Sequence, residues 1–214
     1  MGTVISKLCN FETKAEPPNG NKPAGETNRP TEDSSHAPVA SDGPKKMSMR
    51  DFEVIKVGFL AQQELGSGTF GKVFLVRKID TRQLFALKVI NKADFKIDQD
   101  PREAVMAERD IMLKSESPFI VKLWFSFQDE RHLYFCIDYV SGGELFRLLR
   151  KNKKFKLEEA RFYAAEVLLG LDYLHNQLKT IYRDLKPENI LLDHSGHVKL
   201  TDFGLSKSNS GSNN

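Results

Sequence analysis

A cation in the middle of an apolar strand restricts this chain more than any other feature. Residues Phe85-Ala86-Leu87-Lys88-Val89-Ile90 read as a β-strand of branched and aromatic side chains with one lysine inside it. A lysine among such neighbours is rarely buried without an acid, because an unpaired charge away from water is costly. The next predicted element supplies one. Asp100-Pro101-Arg102-Glu103 is a good helix start, with Asp at the cap, Pro at the first position and Glu at the third. In the helix expected over 101–114, Ala104, Glu108 and Met112 share a face at i, i+4 and i+8. Taken alone, Glu108 reads as a solvated helix acid. With Lys88 upstream it becomes a counter-ion.

Composition divides the chain before it characterises it. Six of nine prolines precede residue 45, and only one of twenty-one aromatic residues, Phe11, lies in the first fifty. Residues 1–47 therefore read as a tail without enough apolar surface to offset ordering entropy, and the core begins near residue 48. Net charge is +3, with seven basic and six acidic side chains in residues 1–50 and twenty-five and twenty-three in the remainder. With that balance neither part is read as having the clustered basic stripe that phosphate backbones demand, so nucleic acid is not an expected partner. Cys9 and Cys136 give neither a disulfide framework nor metal-ligand spacing, which fits a reducing, cytoplasmic compartment. No stretch reaches the length of a membrane span and no secretory core follows Met1.

From Val54 to Val76 two strands are expected around Gly66-Ser67-Gly68-Thr69-Phe70-Gly71-Lys72-Val73. A lone GxGxxG is weak and often marks an ordinary hairpin. Here Val73 and Leu75 continue a strand after it, which argues against the dinucleotide-binding turn that opens a helix. A glycine hairpin can lay its backbone amides over phosphates, since no Cβ blocks approach. Phe119 to Tyr139 reads as two more strands around Gln128–Arg131. Glu144–Leu149 begins a helix, and a longer one spans 157–175 with Phe162, Ala165, Leu169 and Tyr173 expected as its buried face. Five strands and one helix followed by two helices make an α+β arrangement in two lobes.

The segment from Ile181 to Asp193 sets Arg183, Asp184, Lys186, Glu188 and Asn189 between apolar flanks, and Asp202-Phe203-Gly204 follows the hairpin expected over 190–201. Polar groups concentrated on a loop held by apolar flanks are the usual seat of catalysis. Two Asp and an Asn on adjacent loops are hard oxygen ligands suited to Mg²⁺. Any one piece reads as a polar turn; the ordered set does not.

That ordered set (glycine-rich loop, strand lysine, helix glutamate, catalytic loop, DFG) resembles the protein-kinase signature. Lys186-Pro187-Glu188-Asn189 is similar to the serine/threonine form of the catalytic loop. Tyr182, in place of the common His, together with Glu108–Ile111, Leu123–Phe127, Tyr139–Glu144 and Thr201–Lys207, is similar to the AGC group, nearest its ribosomal-protein S-six kinase branches. The resemblance covers residues 51–207. It implies a protein-kinase-like two-lobe fold, with a five-stranded antiparallel amino-terminal lobe over 48–140 bearing one main helix. It further implies an incomplete, mainly helical carboxy-terminal lobe over 141–207 and a disordered end over 208–214.

The resemblance also assigns roles. The amides of Gly66, Ser67, Gly68, Thr69, Phe70 and Gly71 would cover the phosphates of ATP, and Lys88 would meet its α- and β-phosphates while held by Glu108. Val73, Ala86 and Leu191 would enclose the adenine. Asp138 and Val140 would hydrogen-bond it behind Ile137, and Glu144 would reach the ribose. Asp184 would accept the substrate hydroxyl proton, with Lys186 near the γ-phosphate, and Asn189 and Asp202 would hold Mg²⁺. Glu144 and Glu188 match positions that bind substrate arginines, so Arg/Lys-rich substrates are expected. Met112, Leu123, Tyr182 and Phe203 match the apolar stack that joins the lobes.

Two departures stand out. Relative to the family spacing either Gly58–Glu64 is inserted or the first strand is displaced, and after Lys207 the chain runs to Asn214 without an activation-loop phosphosite or APE segment. Without the helices that follow in the family, those of 144–175 would leave apolar faces exposed. The chain is therefore expected to be a truncated serine/threonine kinase, a catalytically inert nucleotide-binding or interaction fragment of one, or an incomplete product without a stable fold. The residues leave these three open, and they set no oligomeric state. At the other terminus, Gly2 with Ser6 fits the myristoylation pattern, and Cys9 is a candidate for the palmitoyl group that stable anchoring needs. Lipidation there would bring membrane association.

Overall fold

The computed structural model describes residues 46–55, 64–66, 71–95 and 102–208, and the backbone of 13–14, 56–57, 61–62 and 67–68. The expectations placed on Gly2, Cys9, Thr69, Phe70, Asp100 and Pro101 lie outside the described residues. In chain order the strands of the first half are Thr13–Lys14 (β1), Phe52–Val54 (β2), Lys56–Val57 (β3), Ala61–Gln62 (β4), Glu64–Gly68 (β5), Gly71–Lys78 (β6) and Leu84–Asn91 (β7). Helix Arg102–Lys114 (α1) leads to Leu123–Gln128 (β8) and His132–Asp138 (β9). Helices Leu145–Asn152 (α2) and Leu157–Asp172 (α3) follow, then short strands Thr180–Ile181 (β10), Ile190–Leu192 (β11), Val198–Leu200 (β12) and Lys207–Ser208 (β13).

The main sheet is antiparallel in the order β1-β8-β9-β7-β6-β2, with β5 also paired to β6. β2 and β5 are two halves of one strand position. Val54 sits opposite Val76, the Ile55 amide donates to the Leu75 carbonyl, and Glu64 then faces Phe74. Lys56–Val57 and Ala61–Gln62 thus stand outside an otherwise continuous ladder and pair with each other, Lys56↔Gln62 and Val57↔Ala61, while Glu64, counted among the extra residues, is part of the ladder. The extra residues leave the strand in place and interrupt it. Five strand positions result, as expected, with β1 as a two-residue addition on the β8 edge inside the segment read as a tail. Ser208, read as the start of a disordered end, pairs with Thr180.

Period-two alternation gives β7 two buried faces. Phe85 and Leu87 join Phe52, Val76, Trp124, Phe125, Phe127, Tyr134 and Cys136 in an aromatic cluster, where Phe52 stacks on Phe127 at 5.7 Å and Phe127 on Tyr134 at 4.9 Å. Ala86 and Ile90 face the other way, into a cluster with Val105, Ile111 and Met112 of α1. Lys88 lies between them in sequence and shares their face.

The expected buried face of α3 is corrected. Phe162 and Leu169 are 43% and 54% exposed, Leu168 is also exposed, and the inward positions are Tyr163, Glu166, Val167, Gly170 and Leu171. Hydrophobic periodicity misses this because a charge and a glycine decide it. Glu166 is buried and accepts from the Val198 amide at 2.8 Å, with His197 Nδ1 at 2.6 Å. At Gly170 a Cβ would meet Leu200 Cδ1 at 3.0 Å, so any side chain there would have to push Leu200 aside for the helix to lie this close to β12. Tyr173, the last expected member, is half-buried, with its hydroxyl accepting from the Glu116 amide.

Two predictions follow from these contacts. Deleting residues 56–63 joins Ile55 to Glu64 in register and removes a loop whose closure costs on the order of 1–2 kcal/mol; the urea midpoint should rise, and a fall would show that the hairpin packs on the sheet. The hydrogen bond and charge of Glu166 raise the His197 pKa above its ordinary value of 6.5. A raised basic group stabilises fully below its unfolded pKa and loses that contribution as pH rises through the folded value. Coupling measured by a Glu166→Gln/His197→Asn cycle should therefore be larger at about pH 5.5 than at about pH 9.

Candidate functional site

Three parts of the chain line one cavity of about 570 Å³. From β7, Lys88 Nζ reaches Glu108 of α1 at 2.6 Å to Oε1 and 2.8 Å to Oε2, with both residues no more than 4% exposed. Burial pushes the Glu108 carboxyl above the ordinary range, the lysine opposes this, and the nearby Asp202 charge adds to it. A carboxylate on α1 thus answers the demand that Lys88 makes from the sheet.

The opposite wall is built by a hairpin. Ile190↔Leu200, Leu191↔Lys199 and Leu192↔Val198 pair, so the residues at its open end are neighbours, and the Thr201 amide donates to the Asn189 carbonyl at 3.1 Å. Pairing alone therefore brings Asn189 and Asp202 to one place. Asn189 Nδ2 donates to the Asp184 carbonyl at 3.0 Å and to Asp184 Oδ2 at 2.8 Å, and Lys186 Nζ donates to the same Oδ2 at 2.8 Å. The Lys186 hydrogen bond holds the Asp184 carboxyl below the usual range, against a smaller opposing effect of burial, with Asn189 helping.

The loop is held from beneath. Tyr182 donates its hydroxyl to the Thr201 carbonyl and lies 5.4 Å from the Phe203 ring. Both are fully buried in one cluster with Met112 and Leu123. Arg183 donates from Nε to the Leu205 carbonyl at 2.7 Å. Arg183 and Asp202 have φ of +66° and +59°, conformations that non-glycine residues adopt rarely and that concentrate at functional sites.

Of the residues expected at the site, Gly66, Val73, Ala86, Lys88, Glu108, Asp138, Val140, Glu144, Lys186, Asn189, Leu191 and Asp202 line the cavity. Asp184 joins through its bonds to Lys186 and Asn189. Gly71 has a different reason to be glycine: a Cβ there would lie 2.1 Å from the Val89 carbonyl oxygen, so it serves the β6–β7 approach. The side chain of Asp138 is also engaged elsewhere. It accepts from Trp124 Nε1 at 2.7 Å, Lys199 Nζ at 3.0 Å and the Lys122 amide at 3.2 Å, while its own amide donates to the Lys122 carbonyl at 3.0 Å. Arg147 was not foreseen. It lines the cavity with its Nε 3.6 Å from Glu144, a pairing that the i, i+3 spacing signals.

With the Asn189 amide nitrogen turned to Asp184, Asn189 and Asp202 line the cavity with oxygen donors of the hard kind that fits Mg²⁺. Among the described residues no group of three or more His, Cys, Asp or Glu could hold a metal alone. The donor set suits a cation that completes its shell with water and phosphate oxygens.

The protein kinase domain model matches residues 59–214. Ribosomal protein S6 kinase alpha-3 of Homo sapiens is 49% identical over 190 residues, 85% of this chain and 24% of the relative. Protein kinase 3 of Dictyostelium discoideum is 51% identical over 164 residues, 77% of this chain and 17% of the relative. Ribosomal protein S6 kinase 2 alpha of Xenopus laevis is 51% identical over 169 residues, 78% and 22% respectively. The chain spans about a quarter of the length of these relatives or less. The family model covers most of the described core and the relatives are about half identical over most of the chain, so the chain belongs to the protein kinase family, in its AGC group.

Proposed function

We propose that this chain carries the ATP and Mg²⁺ site of a serine/threonine protein kinase that acts on Arg/Lys-rich segments. The observation that carries this reading is the Lys88–Glu108 pair on the same cavity as Asn189 and Asp202. Bound ATP·Mg²⁺ would supply an activated γ-phosphoryl group with its charge partly neutralised. The remaining work is positional and belongs to the protein. Val73, Ala86 and Leu191 offer apolar walls to a purine, and Lys88, fixed by Glu108, offers a cation to phosphate oxygens. Asp184, held by Asn189 and Lys186, orients the incoming hydroxyl and takes its proton as the new P–O bond forms and the bond to the β-phosphate oxygen breaks. Glu144 and Glu188 add the negative charge that suits basic substrates.

Exposure of Phe162, Leu168 and Leu169 on α3 favours a second reading, nucleotide binding without efficient transfer by residues 1–214 alone. Lipidation at Gly2 and Cys9 would add peripheral membrane contact from the cytoplasmic side.

Mg·ATP should raise the melting temperature of the 1–214 chain, the stabilisation reaching about 2.7 kcal/mol at a hundredfold excess over Kd. Lys88→Met should abolish the shift, and an unchanged shift would remove the cavity from consideration. With a basic peptide the chain should transfer little or no phosphate. Transfer that Asp184→Asn eliminates would instead establish the complete enzyme reading. Mass spectrometry of the chain from eukaryotic cells should show a myristoyl group on Gly2, and an acetylated or bare terminus would refute lipidation.

A further inference from the structure

The near-neutral charge balance of the chain conceals one place where it fails. Residues 147–156 contain Arg147, Arg150, Lys151, Lys153, Lys154 and Lys156 and no acid. They span the second half of α2 and the turn into α3, and from Arg150 to Phe162 every residue except Phe155 is exposed. Lys153, with φ +64°, reverses the chain at the end of α2, while Phe155 anchors the turn against Tyr163 at 5.2 Å. The result is a protruding tip. The acids nearest to it are accounted for: Glu144 faces Arg147, Glu159 accepts from the Lys156 amide at 2.8 Å, and Glu158 is exposed beyond the tip. Arg147 and Lys151 stand one helical turn apart, a like-charge spacing that destabilises an isolated helix. Leu157, adjoining the last lysine, is 60% exposed.

We propose that this tip is a docking surface for an anionic phospholipid membrane. Cations clustered at the end of an amphipathic helix and on the exposed turn after it, beside an exposed leucine, match a charged, partly apolar interface. A nucleic acid or acidic peptide would be better served by a groove lined with paired donors, and a protruding turn offers none. The surface stands apart from the cavity, since only Arg147 touches both. It is also separate from any acyl group on Gly2, although one acyl chain binds a bilayer weakly and a polybasic patch is a sufficient second signal.

The test uses the unlipidated 1–214 chain and vesicles of phosphatidylcholine with or without phosphatidylserine. The chain should bind only the serine-containing vesicles and release as salt rises from about 0.1 M to about 0.5 M. Lys151→Glu/Lys154→Glu/Lys156→Glu, all exposed, should weaken binding by about 100-fold or more, at roughly fivefold or more for each cation. An equal charge change placed elsewhere, Lys114→Glu/Arg131→Glu/Lys207→Glu, should cost less than about tenfold. Equal losses in the two variants would overturn the proposal. So would a loss under about tenfold at the tip, or binding to RNA or polyglutamate in preference to the vesicles. The salt and lipid dependence of the unaltered chain stand even if a variant misfolds.

Discussion

The ion pair between Lys88 and Glu108 is the contact on which the amino-terminal half is organised. Bringing two charges into a nearly dry interior costs several kcal/mol per ion, and their attraction offsets this only with good geometry. Two short hydrogen bonds from one ammonium to both carboxylate oxygens provide that geometry. Removing either partner leaves the other buried and unpaired, which is far worse than never having buried the pair. The interaction therefore acts as a constraint more than as glue: α1 has to lie across β7 with Glu108 facing inward. Val105, Ile111 and Met112 then pack because the helix is already placed.

A second constraint operates between the two walls of the cavity. The Asp138 carboxylate collects donors from the β8 side, through Trp124 and the Lys122 amide, and from β12 through Lys199. β12 is also bound to the segment before β8, since the Leu200 amide donates to the Phe119 carbonyl and the Val121 amide to the Leu200 carbonyl. The hairpin that carries Asn189 and Asp202 is thus tied to the sheet that carries Lys88 at several independent points. That multiplicity allows left-handed backbone at Arg183 and Asp202 to persist.

Much of this was legible in the residues, and the reasons differ by site. Lys88 and Glu108 could be paired on paper because a buried charge has so few solutions. The catalytic loop stood out because polar groups between apolar flanks have few structural reasons to gather. The α3 face was misread for the complementary reason, since Glu166 turns inward for a backbone amide and Gly170 turns inward because it has no side chain. Neither registers as hydrophobic. Gly71 looked like a phosphate glycine by its place in a motif, yet its contact with Val89 is a packing requirement that only neighbouring strands reveal. The engagement of the Asp138 side chain, likewise, depends on Lys199, which lies sixty-one residues away along the chain.

The interrupted strand has a practical meaning. Because β6 holds Phe52–Val54 on one side of the break and Glu64–Gly68 on the other, chain length between them is uncoupled from the positions of Leu65, Gly66 and Val73 at the cavity. The middle of a strand is ordinarily the last place to lengthen a protein. Here Lys56–Val57 and Ala61–Gln62 pair with each other outside that ladder, so the stretch between Phe52–Val54 and Glu64–Gly68 is a natural port for an epitope or fluorescent label that leaves the strand positions at the cavity in place.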